Sequence, residues 1–503
     1  MGKDNLDLLV ISPSSARLYQ NLQARFSAIE PNIWAGMLAA SARAKGYSVE
    51  LYDLEVSRPS PEEFASEISN FSARIILFVV TGQNPNASSA AMDGATYAAS
   101  LIDPHPAHRI AFTGPHVNAL PLETLERHAF IDIVFTNEGV YALDALLSNG
   151  HGNSLSNIPG IAWRDGEEIK LNSPSPIVAQ ERLHIDLPGI AYDLMPPLSS
   201  YRTSPWHANF VEEDRSPFAS IYTSLGCIFK CDFCMINIIN RTSNDENLTS
   251  ADYNTFRYWN PDHVATQLDY LADHGVVQLK IADEMWVLRP QHFLTLCDLM
   301  IERDYGFNIW AYARVNTIKE RYLDKLKRAG VSWLAIGIES GNQVVRQEVS
   351  KGKFQDVDIV DIINLVRQYD INVGANYIFG LEGDTWDTMN DTLNLALDLN
   401  TENANFYCAT ALPGSPTYQA LPVTDNRISK DYSEYGFLSY DHVPNSTTTL
   451  RPNDILAFRD YAFHTYFESP RYLNLIERKF GMSSRKNIEQ MTSIKLKRRL
   501  LDD

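Results

Sequence analysis

Residues 224–237, SLGCIFKCDFCMIN, decide the fold of this chain because they hold three of its five cysteines on one short stretch. Cys227, Cys231 and Cys234 have the spacing C-x3-C-x2-C, with Phe233 directly before the last. Cysteine thiolates normally cap all four irons of a [4Fe–4S] cube. Three thiolates leave one iron open to a small molecule that carries an amine and a carboxylate. The spacing therefore predicts a [4Fe–4S] cluster with one open iron.

A zinc knuckle is the alternative use of these cysteines. Zinc needs a fourth Cys or His at similarly close spacing, and the next histidine is the distant His263. The remaining cysteines, Cys297 and Cys408, lie in the apolar stretches HFLTLCDLM and NFYCATAL and are predicted to be buried core thiols. Few cysteines, clustered for metal, indicate a reducing compartment rather than a disulfide framework.

Length and charge limit the function classes. A chain of 503 residues is expected to form two or three domains. The net charge of −19 argues against nucleic acid or an anionic membrane as the main partner. No signal peptide is evident, and no apolar run reaches the ~18 residues of a membrane span. We therefore expect a soluble, cytoplasmic protein.

Residues 1–145 alternate strand and helix signals. Five short apolar runs, DLLVIS, SVELYDL, RIILFVVT, RIAFTG and DIVFTN, are separated by helical patterns, which predicts a doubly wound parallel sheet. Such sheets bind ligands beyond the carboxyl ends of their strands. Polar and glycine-containing pairs follow three of those ends, and glycine lets a backbone approach a ligand closely. They are Thr81 and Gly82, Thr113 and Gly114, and Glu138 and Gly139.

The rest of the chain divides into three predicted segments. Residues 146–215 are rich in Pro, Ser and Asn and are predicted to be an extended connector. Residues 216–412 repeat a strand–helix unit six times, fewer than the eight of a closed barrel, so a partial (β/α)6 barrel is expected. Residues 413–503 are predicted to be mainly helical and to cap the open side of that barrel.

Charged residues end the barrel strands, where the active sites of such barrels lie. Asp283 and Glu284 end the second strand, Arg314 the third and Glu339 the fourth. Carboxylates can accept hydrogen bonds from an amine or from ribose hydroxyls, and Arg314 can pair with a carboxylate. The alternative is that each acid caps the helix that follows it.

The cysteine motif with its barrel resembles the signature of the radical S-adenosylmethionine (SAM) enzymes, in which SAM binds the open iron. Within the fifth strand, Asn376 to Gly383 resembles that family's adenine-binding stretch, G-x-I-x-G-x-x-G, although Asn376 replaces the first glycine. The resemblance assigns Ile378 and Gly380 to adenine, and Asp283, Glu284, Arg314 and Glu339 to the remainder of SAM. An ordinary strand–helix junction, with Thr385 as the N-cap, is the alternative.

The segments GPHVNALP and NEGVYAL resemble the cobalamin-binding domain that precedes the barrel in the largest B12-dependent radical SAM class. That resemblance implies cobalamin as a third cofactor, with Thr81, Gly82, Thr113, Gly114, Glu138 and Gly139 along it. Methionine synthase-type domains carry D-x-H-x-x-G after strand one, whereas this chain has SPSSARLYQNL. No histidine is therefore expected below cobalt, with His116 a remote alternative. A degenerate domain that binds nothing is the other possibility.

The resemblance implies a cobalamin-dependent radical SAM enzyme that methylates an unactivated carbon of a small-molecule or natural-product substrate, using a 5′-deoxyadenosyl radical and methylcobalamin. An electron donor such as flavodoxin or ferredoxin is then expected. A radical cyclase or rearrangement enzyme, a cobalamin-independent enzyme with a vestigial N-terminal domain, and a cobalamin-binding sensor are the alternatives. A methylthiotransferase is disfavoured because residues 1–226 contain no cysteine for its second cluster. Neither the catalytic residues nor the acceptor can be derived from the sequence.

Overall fold

The computed structural model describes residues 3–20, 22, 26–82, 84–104, 108–150, 154–349, 358–422 and 424–502. Its first unit is a seven-stranded sheet in the order β2-β1-β3-β4-β5-β6-β7. The strands are β1 (Lys3–Ser12), β2 (Val49–Asp53), β3 (Phe71–Val79), β4 (Arg109–Thr113), β5 (Ile133–Phe135), β6 (Ile161–Asp165) and β7 (Glu168–Leu171). Strands β1 to β5 are parallel, which confirms the predicted doubly wound sheet.

Helices cover this sheet because its central strands are apolar on both faces. They are α1 (Ile33–Ala44), α2 (Leu54–Ser57), α3 (Pro61–Ser69), α4 (Ser88–Ser100), α5 (Pro115–Ala119), α6 (Pro121–Arg127) and α7 (Val140–Ser148). The beginning of α3 is fixed by its local sequence, because Ser60 and Glu63 form a capping box around Pro61. These helices alternate with the strands, as the pattern of apolar residues in the N-terminal segment predicted.

The sheet continues into the segment that was predicted to be an extended connector. Strands β6 and β7 form an antiparallel hairpin, and β6 pairs antiparallel with β5. After the hairpin the chain runs through short helical turns, including α8 (Leu183–Asp186), before it reaches the barrel. The predicted domain boundary at residue 145 stays a prediction, but the sheet extends beyond it.

Six parallel strands form the second unit, in the order β8-β11-β12-β13-β14-β15. They are β8 (Phe218–Ile221), β11 (Gln278–Ile281), β12 (Asn308–Arg314), β13 (Val331–Glu339), β14 (Asn372–Phe379) and β15 (Asn403–Cys408), with a two-stranded ribbon of β9 (Ser224–Leu225) and β10 (Arg257–Tyr258). The intervening helices are α9 (Pro261–Asp273), α10 (Pro290–Arg303), α11 (Glu320–Arg328), α12 (Gln343–Val349), α13 (Ile359–Gln368) and α14 (Trp386–Leu399). The partial (β/α)6 barrel is thus confirmed.

The C-terminal region is mainly helical, as predicted, with α15 (Pro416–Gln419), α16 (Pro452–Phe467), α17 (Pro470–Phe480), α18 (Met482–Thr492) and α19 (Arg499–Asp502). Between α15 and α16, residues 430–442 pass from the N-terminal sheet to the barrel, and we name them the crossing segment. Its Tyr432 packs into the core on one face of that sheet. The core on the other face is continuous with that of the barrel.

Among the helices of the described residues, none is long and apolar enough to cross a membrane.

Candidate functional site

A cavity of about 460 Å³ lies where the carboxyl ends of the N-terminal strands meet those of the barrel. Its lining comes from three parts of the chain. The N-terminal sheet contributes loops after β1 and β3, the barrel contributes the ends of its strands and the loop beyond Cys231, and the crossing segment contributes residues 435–438. A site of this kind brings groups together that are far apart in sequence.

The cysteine loop follows β9 and is fixed by its own backbone contacts. Asn237 accepts a hydrogen bond from Cys227 N at 3.0 Å and donates one to Cys227 O at 2.7 Å. Gly226 has φ +86, and a Cβ there would lie 2.3 Å from Thr255 O, so the turn requires glycine. Ser250 Oγ donates to Cys234 O. The loop is therefore held in place without using the three thiols.

Cys227, Cys231 and Cys234 form no disulfide bonds, and they interact with one another electrostatically. Burial, together with the charges of Glu339 and Cys227, raises the pKa of Cys231 to about 12, although the charge of Arg314 opposes the shift. Burial also raises the pKa of Cys234 well above its usual value, with contributions from Cys231 and Cys227. Burial thus opposes the thiolate form, the charge of Arg314 favours it at Cys231, and a coordinating metal ion would deprotonate the thiols outright. Three thiols on one loop are the residue types that an iron–sulfur cluster needs, although among the described residues no three His, Cys, Asp or Glu side chains are arranged to hold a metal ion.

Glu339 is the most strained of the predicted SAM contacts. Its φ is +67, a left-handed conformation that non-glycine residues rarely adopt, and it coincides with a register shift between β13 and β14. A Cβ on Gly337 would lie 2.5 Å from Glu339 Oε1, so the carboxylate folds back over that glycine. Both residues line the cavity. Burial raises the pKa of Glu339 to about 7, and the charge of Arg314 opposes the shift.

Two other predicted SAM contacts lie at the same end of the barrel. Glu284 lines the cavity, and burial followed by repulsion from Asp283 raises the pKa of Glu284 to about 8. Arg314 is buried, with its guanidinium 4.2 Å from the centre of the Phe229 ring on the cysteine loop. The arrangement brings Glu284, Glu339 and Arg314 into the neighbourhood of the thiols, and their contact with SAM stays a prediction.

Asp283 is engaged within the protein. Its carboxylate accepts hydrogen bonds from Thr223 N, Thr223 Oγ1 and Ser224 Oγ, each at 2.6 Å. These bonds join the end of β11 to the start of the cysteine loop, and Asp283 does not line the cavity. Its role as a SAM contact stays a prediction.

In the predicted adenine-binding stretch, one residue faces the cavity and another is bonded within the protein. Ile378 lines the cavity and packs in a small apolar cluster with Leu381 and Phe233. Gly380 has φ +79, and its N–H donates to Asp384 Oδ2 at 2.9 Å. Thr385 caps α14, as the alternative interpretation expected. Ile378 is thus positioned to contact a ligand, whereas the amide of Gly380 is occupied by the protein.

The residues predicted to contact cobalamin divide between two places. Thr81 and Gly82 line the large cavity, and Thr81 Oγ1 donates to Asn32 Oδ1 at 2.9 Å. Thr113, Gly114 and Glu138 line a separate void of about 10 Å³ behind it, in contact with Thr81. Gly139 begins α7 at φ +80, beside Thr113.

The glycines at these strand ends are required by the protein itself. A Cβ on Gly82 would lie 2.3 Å from Ala87 Cβ, and one on Gly114 would lie 2.1 Å from Val80 O. Both positions therefore need glycine whether or not a ligand approaches. Their contact with cobalamin stays a prediction. The presence of glycine does not support it, because the protein's own packing already requires glycine at both positions.

His116, the remote alternative for a cobalt ligand, is buried at the start of α5. Its Nδ1 lies 2.9 Å from Ser89 Oγ, and its ring meets Tyr432 and Tyr435 edge-on. Burial lowers the pKa of His116 to about 3. Its contacts join α4, α5 and the crossing segment, and it does not line the cavity.

Sequence reasoning missed several residues of the cavity wall. Tyr222, Tyr312 and Tyr407 line the barrel end of the cavity, and Phe437 and His442 line it from the crossing segment. Lys280 lies below them in a buried ion pair with Glu30, at 2.7 Å. Lys280 lies in the apolar run VVQLKIAD, and this position could have predicted a buried ion pair, because a buried lysine needs an acidic partner. The crossing segment has no periodicity and gave no signal.

Comparison with known proteins supports both units. Residues 221–396 match the Radical SAM superfamily, and residues 22–147 match the B12 binding domain family. The chain is 21% identical over 433 residues to an uncharacterized methyltransferase of Pyrococcus horikoshii, covering 85% of each chain. It is 23% identical over 441 residues to the anaerobic magnesium-protoporphyrin IX monomethyl ester cyclase of Cereibacter sphaeroides, covering 86% of this chain and 66% of the cyclase.

Among solved structures, the chain resembles the radical SAM methyltransferase TsrM from Kitasatospora setae, described with cobalamin and a [4Fe–4S] cluster bound. The TM-score is 0.63 at 16% identity, and the alignment covers 93% of this chain and 90% of TsrM. At this identity the likeness shows a shared fold. The resemblances drawn from the cysteine motif and from the N-terminal segments are thereby confirmed, and the individual contacts to SAM and cobalamin stay predictions.

Proposed function

We propose that this chain, which belongs to the radical SAM enzymes that carry a B12-binding domain, transfers a methyl group to an unactivated carbon of a small molecule. One observation carries the proposal. The cysteine loop, the acids that end β11 and β13, and the first loops of the N-terminal sheet all meet at one cavity. A methyl transfer between cofactors held by two different units requires such a shared space.

The residues present fit the three cofactors. Cys227, Cys231 and Cys234 would hold the cluster, Glu284 and Glu339 would hold SAM, and the strand-end loops around Thr81 would hold cobalamin. When bound, the cluster with SAM supplies a 5′-deoxyadenosyl radical, and cobalamin supplies a methyl group. The protein supplies position and a protected space.

The chain's own residues define that protected space. Asn237 fixes the backbone of Cys227, and Asp283 fixes the start of the same loop through Thr223 and Ser224. Aromatic side chains from β12, β15 and the crossing segment wall the cavity against water. Exclusion of water protects reactive species from side reactions.

Glu284 and Glu339 have the chemistry needed to bind SAM at the carboxyl end of the barrel. A carboxylate accepts charge-assisted hydrogen bonds from an ammonium group, and such bonds are about twice as strong as neutral ones. Burial raises the pKa of Glu284 and of Glu339, so each carboxylate gains most from a cationic partner. The sulfonium centre of SAM is such a cation, and an amine bound to the open iron still donates its N–H groups.

A specific experiment tests the proposal. The full-length protein, reconstituted anaerobically with iron, sulfide and cobalamin, is incubated with a reductant and with SAM that carries a deuterated methyl group. We expect 5′-deoxyadenosine together with an acceptor product in which one hydrogen on carbon is replaced by a deuterated methyl group. Absence of SAM cleavage in protein that holds a full cluster would contradict the proposal.

A radical cyclase is the second candidate, because the similarity to the Cereibacter sphaeroides cyclase covers most of this chain. The same experiment separates the two activities. A cyclase gives a product that has lost hydrogen and carries no deuterated methyl group, whereas a rearrangement leaves the mass unchanged.

SAM cleavage at the cluster requires an electron from outside the chain. A small redox protein such as flavodoxin or ferredoxin is the donor that we propose, and a reducing cytoplasm is the compartment that the cysteines suggest. Replacing a chemical reductant with either protein in the assay above would identify the donor.

A further inference from the structure

The crossing segment forms a fixed wall of the cavity, because the C-terminus holds it in place. Arg498 Nη1 donates to Phe437 O and to Ser439 O, both at 2.9 Å. From the N-terminal side, Gln20 Nε2 donates to Leu438 O at 2.9 Å. These bonds hold the backbone of residues 437–439 from two directions, so their side chains meet the cavity in a defined arrangement.

His442 lines this wall and has one ring nitrogen without a partner among the described residues. Its Nδ1 lies 2.8 Å from Glu434 O. A carbonyl oxygen only accepts, so Nδ1 must carry the hydrogen and Nε2 must present a lone pair. Only 1% of His442 is exposed. A buried acceptor without a donor is costly, and native proteins normally satisfy such atoms.

The ring of His442 stays neutral in this environment. Burial, together with the charges of Arg498 and Arg459, lowers the pKa of His442 to about 3, although the hydrogen bond to Glu434 O opposes the shift. Both arginines are engaged with Asp460. A neutral imidazole whose Nδ1 donates can offer Nε2 only as an acceptor. The atom that completes this site must therefore belong to an N–H or O–H group.

Two aromatic rings line the same cavity as His442, and Arg459 neighbours both Phe437 and His442. Tyr407 and Phe437 pack edge to face, with 5.2 Å between ring centres, and both line the cavity together with His442. Trp310 and Tyr312 line the adjoining barrel end. Walls of this kind bind the flat or apolar body of a ligand, while a few placed polar groups fix its orientation.

The charged side chains that the structure describes along the cavity are all carboxylates, namely Glu30, Glu55, Glu284 and Glu339. Lys280 neutralises Glu30, and Arg58 pairs with Glu55 at 2.6 Å. Beside Glu284 and Glu339, the described lining holds no lysine or arginine. A ligand that carries a carboxylate or phosphate would therefore be desolvated without gaining an ion pair, whereas an ammonium group can pair with either glutamate.

We propose that Tyr407, Phe437 and His442, which we name the acceptor corner, bind the methyl acceptor, and that this acceptor is a ring-bearing, non-anionic molecule that donates an N–H or O–H to His442 Nε2. The inference rests on the proposed function, because it assigns the substrate of that same cavity. It assigns His442 to substrate binding and leaves the cofactors to the residues discussed above.

Ligand binding tests the chemical class without any turnover. Three probes share a phenol ring: tyramine carries an ammonium group, 4-ethylphenol is neutral, and 4-hydroxyphenylacetate carries a carboxylate. Binding to the full-length, reconstituted protein is measured by calorimetry. We expect tyramine to bind at least tenfold more tightly than 4-hydroxyphenylacetate, with 4-ethylphenol between them. Equal or tighter binding of the carboxylate, or no measurable binding of tyramine, would overturn the proposal.

Two variants separate the nitrogens of His442. His442→Asn can still donate to Glu434 O near the position of Nδ1 but lacks an acceptor at Nε2. His442→Gln places an acceptor near Nε2 but loses the bond that holds the segment. We expect His442→Asn to weaken tyramine binding at least fivefold with an unchanged melting temperature, and His442→Gln to retain more affinity at a lower melting temperature. Unchanged affinity in His442→Asn would overturn the proposal.

The two hypotheses fail in different ways. Failure of the proposed function appears as absent SAM cleavage in the parent protein, whichever probe binds. Failure of the acceptor corner appears as a wrong order of probe affinities while the parent protein still cleaves SAM under reduction.

Discussion

Arg257 Nη2 lies 2.7 Å from Glu138 Oε2, and this buried ion pair joins the barrel ribbon to the N-terminal sheet. Arg257 also donates to Val178 O at 2.6 Å and to Asn240 Oδ1 at 2.9 Å. Glu138 follows β5, where the sequence predicted a cobalamin contact. The structure shows that its carboxylate contributes to the junction between the two units. A residue at a ligand-binding edge of a sheet can therefore serve the adjoining domain instead.

The first prediction concerns this junction. Glu138→Gln leaves the guanidinium of Arg257 buried without a counter-charge, so we expect it to lower the free energy of unfolding by about 3–5 kcal/mol. The double variant Glu138→Gln with Arg257→Gln removes both charges and should recover part of that loss. Urea unfolding measures both. If Glu138→Gln weakens cobalamin binding at unchanged stability, its main role is the ligand contact that the sequence predicted.

The second prediction concerns the cluster. Replacing Cys227, Cys231 or Cys234 with Ala should abolish the cluster and SAM cleavage together, because each thiolate caps one iron. Iron and sulfide analysis after anaerobic reconstitution should give about four of each per chain in the parent protein. Cys297→Ala is the matched control: Cys297 is buried in α10, and its loss should leave the iron content unchanged. A full cluster in the triple variant, or zinc in place of iron, would contradict the assignment.

The third prediction separates two acids that the sequence treated alike. Glu339→Gln should weaken SAM binding by roughly ten- to hundredfold, because loss of a charged hydrogen bond is worth about 1.5–3 kcal/mol. Asp283→Asn instead disturbs three bonds to Thr223 and Ser224, so we expect a lower melting temperature as its first effect. Calorimetric SAM binding and thermal unfolding of both variants test the contrast. Unchanged SAM affinity with lowered stability in Glu339→Gln would mean a purely structural role.

Glu339 and Asp283 show which features of the site could be predicted from the sequence and which could not. Periodicity and strand count predicted both α/β units, because buried parallel strands and their helices have distinct patterns. The position of a carboxylate at a strand end was also predictable, but its partner was not. Thr223 and Ser224, which bond to Asp283, precede it in the chain by 60 and 59 residues. Such pairings depend on tertiary packing, which a single sequence does not display.

The acceptor corner illustrates the other limit. Tyr407 lies on β15, where an apolar strand was predicted, yet nothing in NFYCATAL indicated that its ring would face a cavity. Phe437 and His442 lie in an aperiodic stretch whose path is set by Arg498 near the end of the chain. The cavity-lining role of such residues can be recognised only from the tertiary structure, which brings distant segments of the chain together.

The fourth prediction uses Asp53, a buried carboxyl at the end of β2. Burial raises its pKa from 3.8 to about 6, although Tyr201 OH donates to it at 2.7 Å. The folded state then holds a proton that the unfolded state releases between these values, so stability falls as the pH rises through that window. Asp53→Asn keeps an acceptor for Glu55 N and removes the charge.

We therefore expect Asp53→Asn to flatten the loss of stability between about pH 4 and pH 6, with a relative gain of about 2–3 kcal/mol at neutral pH. Denaturant titrations of the parent and variant at several pH values measure the difference, in which the other titrating groups cancel. A parallel pH dependence of the two proteins would show that Asp53 titrates normally.

The last prediction concerns the lower face of cobalamin. The first loop of the N-terminal sheet, after β1, has Pro13, Ser14 and Ser15 where related domains carry a histidine, and His116 packs against Ser89 and Tyr432. We expect cobalamin to bind with its dimethylbenzimidazole tail displaced and with no protein nitrogen in its place. The EPR spectrum of the protein with Co(II)-cobalamin should then lack nitrogen superhyperfine splitting.

Two histidine variants sharpen this test. His116→Ala should leave the spectrum unchanged, because its buried ring does not line the cavity. His442→Asn should also leave it unchanged, because Nε2 of His442 is assigned to the acceptor. A nitrogen triplet that disappears in either variant would identify that histidine as the ligand and contradict this prediction. Failure of the parent protein to retain cobalamin through gel filtration would contradict cobalamin binding itself, and would favour a cobalamin-independent radical SAM enzyme whose N-terminal sheet serves to wall the cavity.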